Sequence, residues 1–246
     1  MRVVLLSCAG APFSAEVMQA MAVARPELLA HFPAAVLSLP HRSPLADLPK
    51  HKQIAAIVAK NGAGGLLKEI RLALAHRVQA LKSKLPGGKS GFGEAPLRIE
   101  AFCDTHGIPY RYTRDINDAE SIAALRALEP DIVLVATFNH ILKRDAIGVA
   151  RIATLNVHPS YLPQFRGADP IAMAVHARAT ETGATVHWID EGIDTGDIVH
   201  QETITVAFGI DKVSLRQRLA SLAAELVCRA LDDAQRGPIP RRPQKT

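Results

Sequence analysis

The feature that most limits the folds open to this chain is an alternation. Short β-branched and aliphatic runs are separated by segments of helical periodicity. VVLL (3–6), AAVLSL (34–39), DIVLVA (131–136) and IATLNV (152–157) carry almost no charge, as expected of strands covered on both faces. Ser14 precedes the helix-spaced AEVMQAMAVA, so residues 2–39 read as a βαβ unit, the building block of parallel sheets. Later segments continue the pattern: a helix over 96–105, a strand at IPYRY (108–112), and a helix that starts at Asp118 or Ser121 and stops before Pro130. ATVHWI (184–189) and IVHQETITV (198–206) alternate in polarity. An amphipathic helix covers 211–234, and the tail RGPIPRRPQKT is expected to be disordered. The expected fold is α/β: a Rossmann-like, doubly wound, mostly parallel sheet over 1–206, with an insertion at about 41–93, followed by a C-terminal helix and flexible tail over 207–246. Ligands of such sheets bind beyond the carboxyl ends of the strands. That directs attention to 136–140, 156–160 and the loop after Ile189.

Composition narrows the class. Hydrophobic residues make up 48% and aromatics 4%, enough for a core and better suited to α/β layers than to a sandwich. Cys8, Cys103 and Cys228 are far apart and odd in number, which argues against a disulfide framework or a cysteine metal site and for a reduced, cytoplasmic setting. The apolar start is too short for a signal peptide, and no run is long enough to span a membrane. The net charge of +5 is uneven: Lys50, Lys52, Lys60, Lys68, Arg71, Arg77, Lys82, Lys84 and Lys89 are opposed only by Glu69. Apolar residues from Leu66 to Leu85 recur there at helix spacing. Such a segment suits a basic lid over a phosphorylated ligand, a membrane or partner face, or a solvated helix packed on the domain. Its basic surface has affinity for polyanions, but Phe92 alone offers little for base stacking.

The chemistry concentrates in TLNVHPSYLPQFRG (154–167). Asn156 and His158 are two apart at a strand end, so their side chains point the same way. Asp194 lies in DEGIDTGD, where Gly192 and Gly196 permit a sharp turn. A carboxylate near an imidazole orients it and stabilises its protonated form, and an Asn amide can donate to a developing oxyanion. The set suits attack on a carbonyl or formyl carbon. No GxSxG elbow supplies a nucleophile, so the nucleophile belongs to the substrate. A GxGxxG after the first strand is also missing, against a dinucleotide dehydrogenase. Pro159 and Pro163 fix φ beyond His158. Arg166 is placed either to contact a phosphate or carboxylate or to secure the loop by an ion pair, and Ser160 to hydrogen-bond within it. His176, His187 and His200 have no metal-ligand spacing and read as core or surface histidines, with no metal expected.

Three pieces in order, NVHPSYLPQFRG, TGATVH (182–187) and DTGDI (194–198), closely resemble the formyltransferase family that uses 10-formyltetrahydrofolate. The resemblance covers about 108–206. It implies that Asn156, His158 and Asp194 are the catalytic residues, with a substrate amine attacking the formyl carbon directly. It implies that Phe138, Asn139, His140, Ile141 and Leu142, with Asp190, Gly192 and Ile193, line the folate pocket. Ser160, Arg166 and Gly167, together with Ser7 and Gly10 of the first loop, are the acceptor-side candidates. That first loop, SCAGAPFSAEV, has one Gly and a Pro, unlike the phosphate-cradling loop of the ribonucleotide enzyme. The tRNA-acting relatives carry a β-rich domain, whereas here one helix and a tail follow Val206. A small amine acceptor is therefore expected, such as an amino sugar, phosphorylated or nucleotide-linked. The alternatives are a formyltetrahydrofolate hydrolase, a methionyl-tRNA formyltransferase-like enzyme, or a folate-binding module without catalysis. A homodimer is compatible with the sequence.

Overall fold

The computed structural model describes residues 1–39 and 97–245; the insertion expected at about 41–93 lies outside them. In chain order these residues form β1 (Val3–Cys8), α1 (Pro12–Ala24), β2 (Ala34–Ser38), α2 (Ile99–His106), β3 (Tyr110–Thr113), α3 (Ala119–Ala127), β4 (Ile132–Ala136), the single turn α4 (Arg144–Ile147), β5 (Ala153–His158), α5 (Pro170–His176), β6 (Glu181–Trp188), β7 (Ile198–Thr205) and α6 (Lys212–Arg236). The strands make one sheet in the order β3-β2-β1-β4-β5-β6-β7. The first five run parallel, and β6 and β7 continue the sheet antiparallel. The mostly parallel, doubly wound sheet expected from the apolar runs is the one observed.

Because strand side chains alternate, the sheet divides its apolar residues between two cores. Val3, Leu5, Leu134, Leu155 and Val157 pack with Met18 of α1, Phe102 of α2 and Leu219 and Leu226 of α6. Val4, Leu6, Val133 and Val135 pack on the opposite face with Ile122 and Leu125 of α3 and Ala146 of α4. Since Leu155 and Val157 belong to the first core, Asn156 and His158 project from the second face. On β6, Ala184 and Val186 join the first core, which leaves Thr185 and His187 on the same face as Asn156.

The helices start where short acidic side chains can cap them. Asp118 accepts from the Ser121 amide (2.6 Å), Asp169 from Ala172 with Pro170 at the first helical position, and Asp211 from Val213 and Ser214. Three ion pairs connect separate parts of the chain: Arg151 with Asp131, which also accepts from the Arg2 backbone N–H (2.7 Å), Arg25 with Asp232, and Glu16 with Arg216. Among the described residues no helix is long and apolar enough to cross a membrane.

The last helix, α6, packs on α1, β6 and β7 and falls in the same unit as the sheet. One expectation needs correction: the described residues of the tail are ordered. Ile239 is only 6% exposed, the Trp188 indole donates to the Pro240 carbonyl (3.0 Å), and the Arg241 guanidinium lies 3.6 Å from the Trp188 ring centroid. Arg242 exchanges backbone hydrogen bonds with Ile198. One buried isoleucine and one aromatic platform anchor a segment whose prolines and charges suggested otherwise.

Candidate active site

The antiparallel turn of the sheet builds the site. In register, Asn156 of β5 faces His187 of β6. Because β6 runs against β5, its carboxyl end lies level with Leu155 rather than with the end of β5. The loop after β6 must therefore climb back to bring Asp194 to His158. Gly196 makes that possible: a Cβ there would lie 1.9 Å from the Trp188 carbonyl oxygen. Asp194 itself takes a left-handed φ of 53°, a conformation uncommon outside glycine though better tolerated by Asp than by most residues.

The Asp194 carboxylate is clasped from two sides. Oδ1 accepts from the Asn156 amide (3.2 Å) and lies 3.6 Å from His187 Nε2. Oδ2 accepts from the Gly167 backbone N–H (2.9 Å) and lies 3.6 Å from His158 Nδ1. Burial opposes ionisation of Asp194, but the His187 imidazole, the charge on His158 and the Gly167 N–H outweigh it and hold the carboxyl at about 2.

His187 Nδ1 donates to the Trp188 carbonyl (2.7 Å), and its Nε2 lies 3.1 Å from the Asn156 amide nitrogen and 3.6 Å from Asp194 Oδ1. A carboxylate only accepts, so Asn156 presents its NH2 group, rather than its oxygen, to Asp194. His158 Nε2 donates to the Phe165 carbonyl (3.0 Å). In the neutral ring Nδ1 then carries a lone pair beside a carboxylate, poised to receive a proton. Burial pushes the His158 imidazole below its ordinary value, against the raising effect of Asp194 and the Phe165 carbonyl. The arrangement can take up one proton at His158 Nδ1 and stabilise the resulting cation with Asp194.

The other candidate residues divide by location. Ile141 and Ile193 are 64% and 58% exposed, large apolar side chains on the two segments expected to line a pocket. Arg144 Nε pairs with Glu191 (3.3 Å), so these segments face each other. Leu142 is buried in the second core, with Phe138 packed against it. His140 Nδ1 accepts from the Ile116 N–H (3.3 Å), and Asn139 donates to the Leu39 carbonyl (2.9 Å). Among the described residues the remaining Asn139 oxygen is buried with no hydrogen-bond partner. Asp190 accepts from the Gly192 N–H and the Thr195 hydroxyl and shapes its own loop.

On the acceptor side the candidates make contacts within the protein, and Ser160 bonds within its loop as expected. Ser7 is fully buried and hydrogen-bonded to Ser14 (2.7 Å), so its hydroxyl does not face a ligand. Ser160 is fully buried and donates to the Gln164 carbonyl (2.6 Å). The Gly10 N–H is engaged by both Glu100 carboxylate oxygens (3.0 and 2.9 Å). Arg166 Nη2 donates to Gln244 Oε1 (2.5 Å), and among the described residues its buried Nε has no hydrogen-bond partner. Among the described residues no group of three or more His, Cys, Asp or Glu is disposed to hold a metal ion.

Two residues around the site carry weak sequence signals. His187 reads as a core or surface histidine, although the alternation in ATVHWI puts it on the face opposite Ala184 and Val186. Asn117 has no motif around it. It brackets the 141–143 backbone by donating to the Ile141 carbonyl (3.0 Å) and accepting from the Lys143 N–H (2.7 Å), and no local sequence pattern marks that role.

A protein-family model described as Formyl transferase matches residues 47–231. A methionyl-tRNA formyltransferase of Methylacidiphilum infernorum (isolate V4) is 42% identical over 149 residues, 61% of this chain and 47% of that protein. One from Geobacter metallireducens is 34% identical over 161 residues, 65% of this chain and 52% of that protein. The chain spans about half the length of these curated relatives. Among solved structures, glycinamide ribonucleotide transformylase 1 from Symbiobacterium toebii superposes with a TM-score of 0.62 at 17% identity, covering 99% of this chain and 93% of that one. A sugar N-formyltransferase from Shewanella sp. gives 0.56 at 15% identity, covering 98% and 73%. These two share the fold.

Proposed function

We propose that this chain, which belongs to the formyl transferase family, moves the formyl group of 10-formyltetrahydrofolate to an amine. The observation that carries the reading is the clasped Asp194 carboxylate between His158 and His187, with the Asn156 amide directed at it. The folate supplies an activated formyl carbon whose oxygen becomes anionic on attack. His158 Nδ1 takes the proton that the amine must lose, and Asp194 stabilises the imidazolium. Asn156 stabilises the oxyanion. Its amide donates to Asp194 Oδ1, so the substrate must draw that proton away from the carboxylate. His158 then returns its proton to the leaving folate nitrogen. No covalent intermediate on the protein is needed.

The residues fit a folate. The exposed Ile141 and Ile193 supply apolar wall for a flat ring, and the backbones of 138–142 and 190–194 supply donors and acceptors for its polar edge. Our reading of the acceptor is a small amine. The Gly10 amide, which an anionic acceptor would use, is already neutralised by Glu100. A second reading, methionyl-tRNA, is favoured by the names of the relatives at 33–42% identity.

The test is turnover of 10-formyltetrahydrofolate, followed by tetrahydrofolate release, alone and with amino sugars, their nucleotide conjugates, glycinamide ribonucleotide and methionyl-tRNA. Release only with an amine that gains a formyl mass supports the transferase and names its acceptor. Release without any amine replaces it with a hydrolase. His158→Ala and Asp194→Asn should each lower kcat about 10²–10⁴-fold while folate binding persists. Wild-type turnover in both variants overturns the reading.

A further inference from the structure

The segment after α6 lies beyond the family match, which ends at residue 231, yet it reaches the catalytic loop. The buried Ile239, the Trp188–Pro240 hydrogen bond and the Ile198–Arg242 bridge carry the chain back to the start of β7. Gln244 arrives beside Asp194. Its Nε2 donates to the backbone carbonyls of Asp194 (2.9 Å) and Gly196 (2.8 Å). Its Oε1 accepts from Arg166 (2.5 Å), the neighbour of Gly167, whose N–H holds Asp194 Oδ2. One side-chain amide therefore joins both segments that clasp the carboxylate. Asp194 needs such support, because its left-handed φ of 53° persists only where its surroundings over-determine it.

We propose that Gln244 is a positioning residue: it locks the backbone of the Asp194 loop to the Arg166–Gly167 segment and so keeps the Asp194 carboxylate against His158. The catalytic consequence rests on the functional reading above; the positioning itself rests on these contacts.

His158 reports the lock. Its ring is faced by the Asp194 carboxylate, the His187 ring and the Phe165 carbonyl. When Asp194 loosens, burial acts with less opposition and the titration midpoint of His158 falls. The experiment is ¹H–¹⁵N imidazole NMR titration of the full chain as wild type, Gln244→Ala, Gln244→Glu and Asp194→Asn, with thermal unfolding and turnover in parallel. Gln244→Glu keeps an acceptor for Arg166 but loses both donors. Both Gln244 variants should lower the His158 midpoint in the direction set by Asp194→Asn. They should also lower kcat about tenfold or more, with KM for the folate little changed.

A His158 midpoint at the wild-type value in both Gln244 variants, beside a lowered one in Asp194→Asn, overturns the proposal and leaves the functional reading standing. A midpoint unchanged even in Asp194→Asn removes the Asp–His contact and overturns both. A wild type without formyl transfer fails the functional reading alone, since the titration still decides Gln244.

Discussion

At the scale of the residue, Asp194 sets the terms. A carboxyl held near 2 instead of the ordinary 3.8 is bound more tightly in the native state when ionised than when protonated. A lowered native value means stability that is fully present above about 3.8 and lost as pH falls through about 2. A shift of this size is worth on the order of 2 kcal/mol. The unfolding free energy of the wild type relative to Asp194→Asn should therefore hold at pH 5 and shrink steadily toward pH 2. A difference undiminished at pH 2.5 would show that the carboxylate is not clasped as described. His158 works in the opposite sense: burial keeps it neutral to lower pH than a free imidazole, which preserves a proton acceptor at Nδ1 near neutral pH.

At the scale of the element, the β6–β7 connection decides whether Asp194 reaches β5. Gly196→Ala should push the loop off Trp188, because the new methyl group has no room against that carbonyl. We expect a loss of about 1–3 kcal/mol in chemical denaturation and at least a tenfold loss of kcat, since displacement of a positioned group by about 1 Å costs up to about 10²-fold. Retained turnover with retained stability would sink this account. The elements also show what the sequence reveals. β4 and β5 are legible because strands buried on both faces must be continuously apolar, and Asn156 and His158 interrupt that rule visibly. Asp118, Asp169 and Asp211 mark their helix starts by the ordinary chemistry of caps. His187 is not legible in the same way, because its importance depends on which strand lies beside β5 and in which direction it runs, and no local pattern records that. The tail misleads for a related reason: its order depends on Trp188 and Ile198, far away in sequence.

At the scale of the whole molecule, the first and last helices close the structure on itself. Glu16 and Arg216 form a two-point ion pair with side chains only 14% and 13% exposed, joining α1 to α6 across the first core. Arg216→Ala would strand a half-buried carboxylate and should cost about 1–3 kcal/mol, read as a lower midpoint in urea with the slope unchanged. Removing both partners as Glu16→Gln with Arg216→Met should recover part of that loss. The candidate site is drawn from β5, β6 and the segments around them, while β1 and β2 lie on the other side of β4. One consequence follows from the facing of Asn156 and His187 across an antiparallel pair. Strand side chains alternate with period two, so a one-residue deletion in β6 upstream of His187 would turn its imidazole toward the opposite core if the strand kept its pairing before the deletion. The register already shifts between Val186 and His187 against β7, and such irregularities re-aim side chains at functional sites. A change in the length of β6 displaces the site more than most single substitutions along it would. In lineages that diverge from this chain, gaps should therefore collect in the loops and stay out of 181–188.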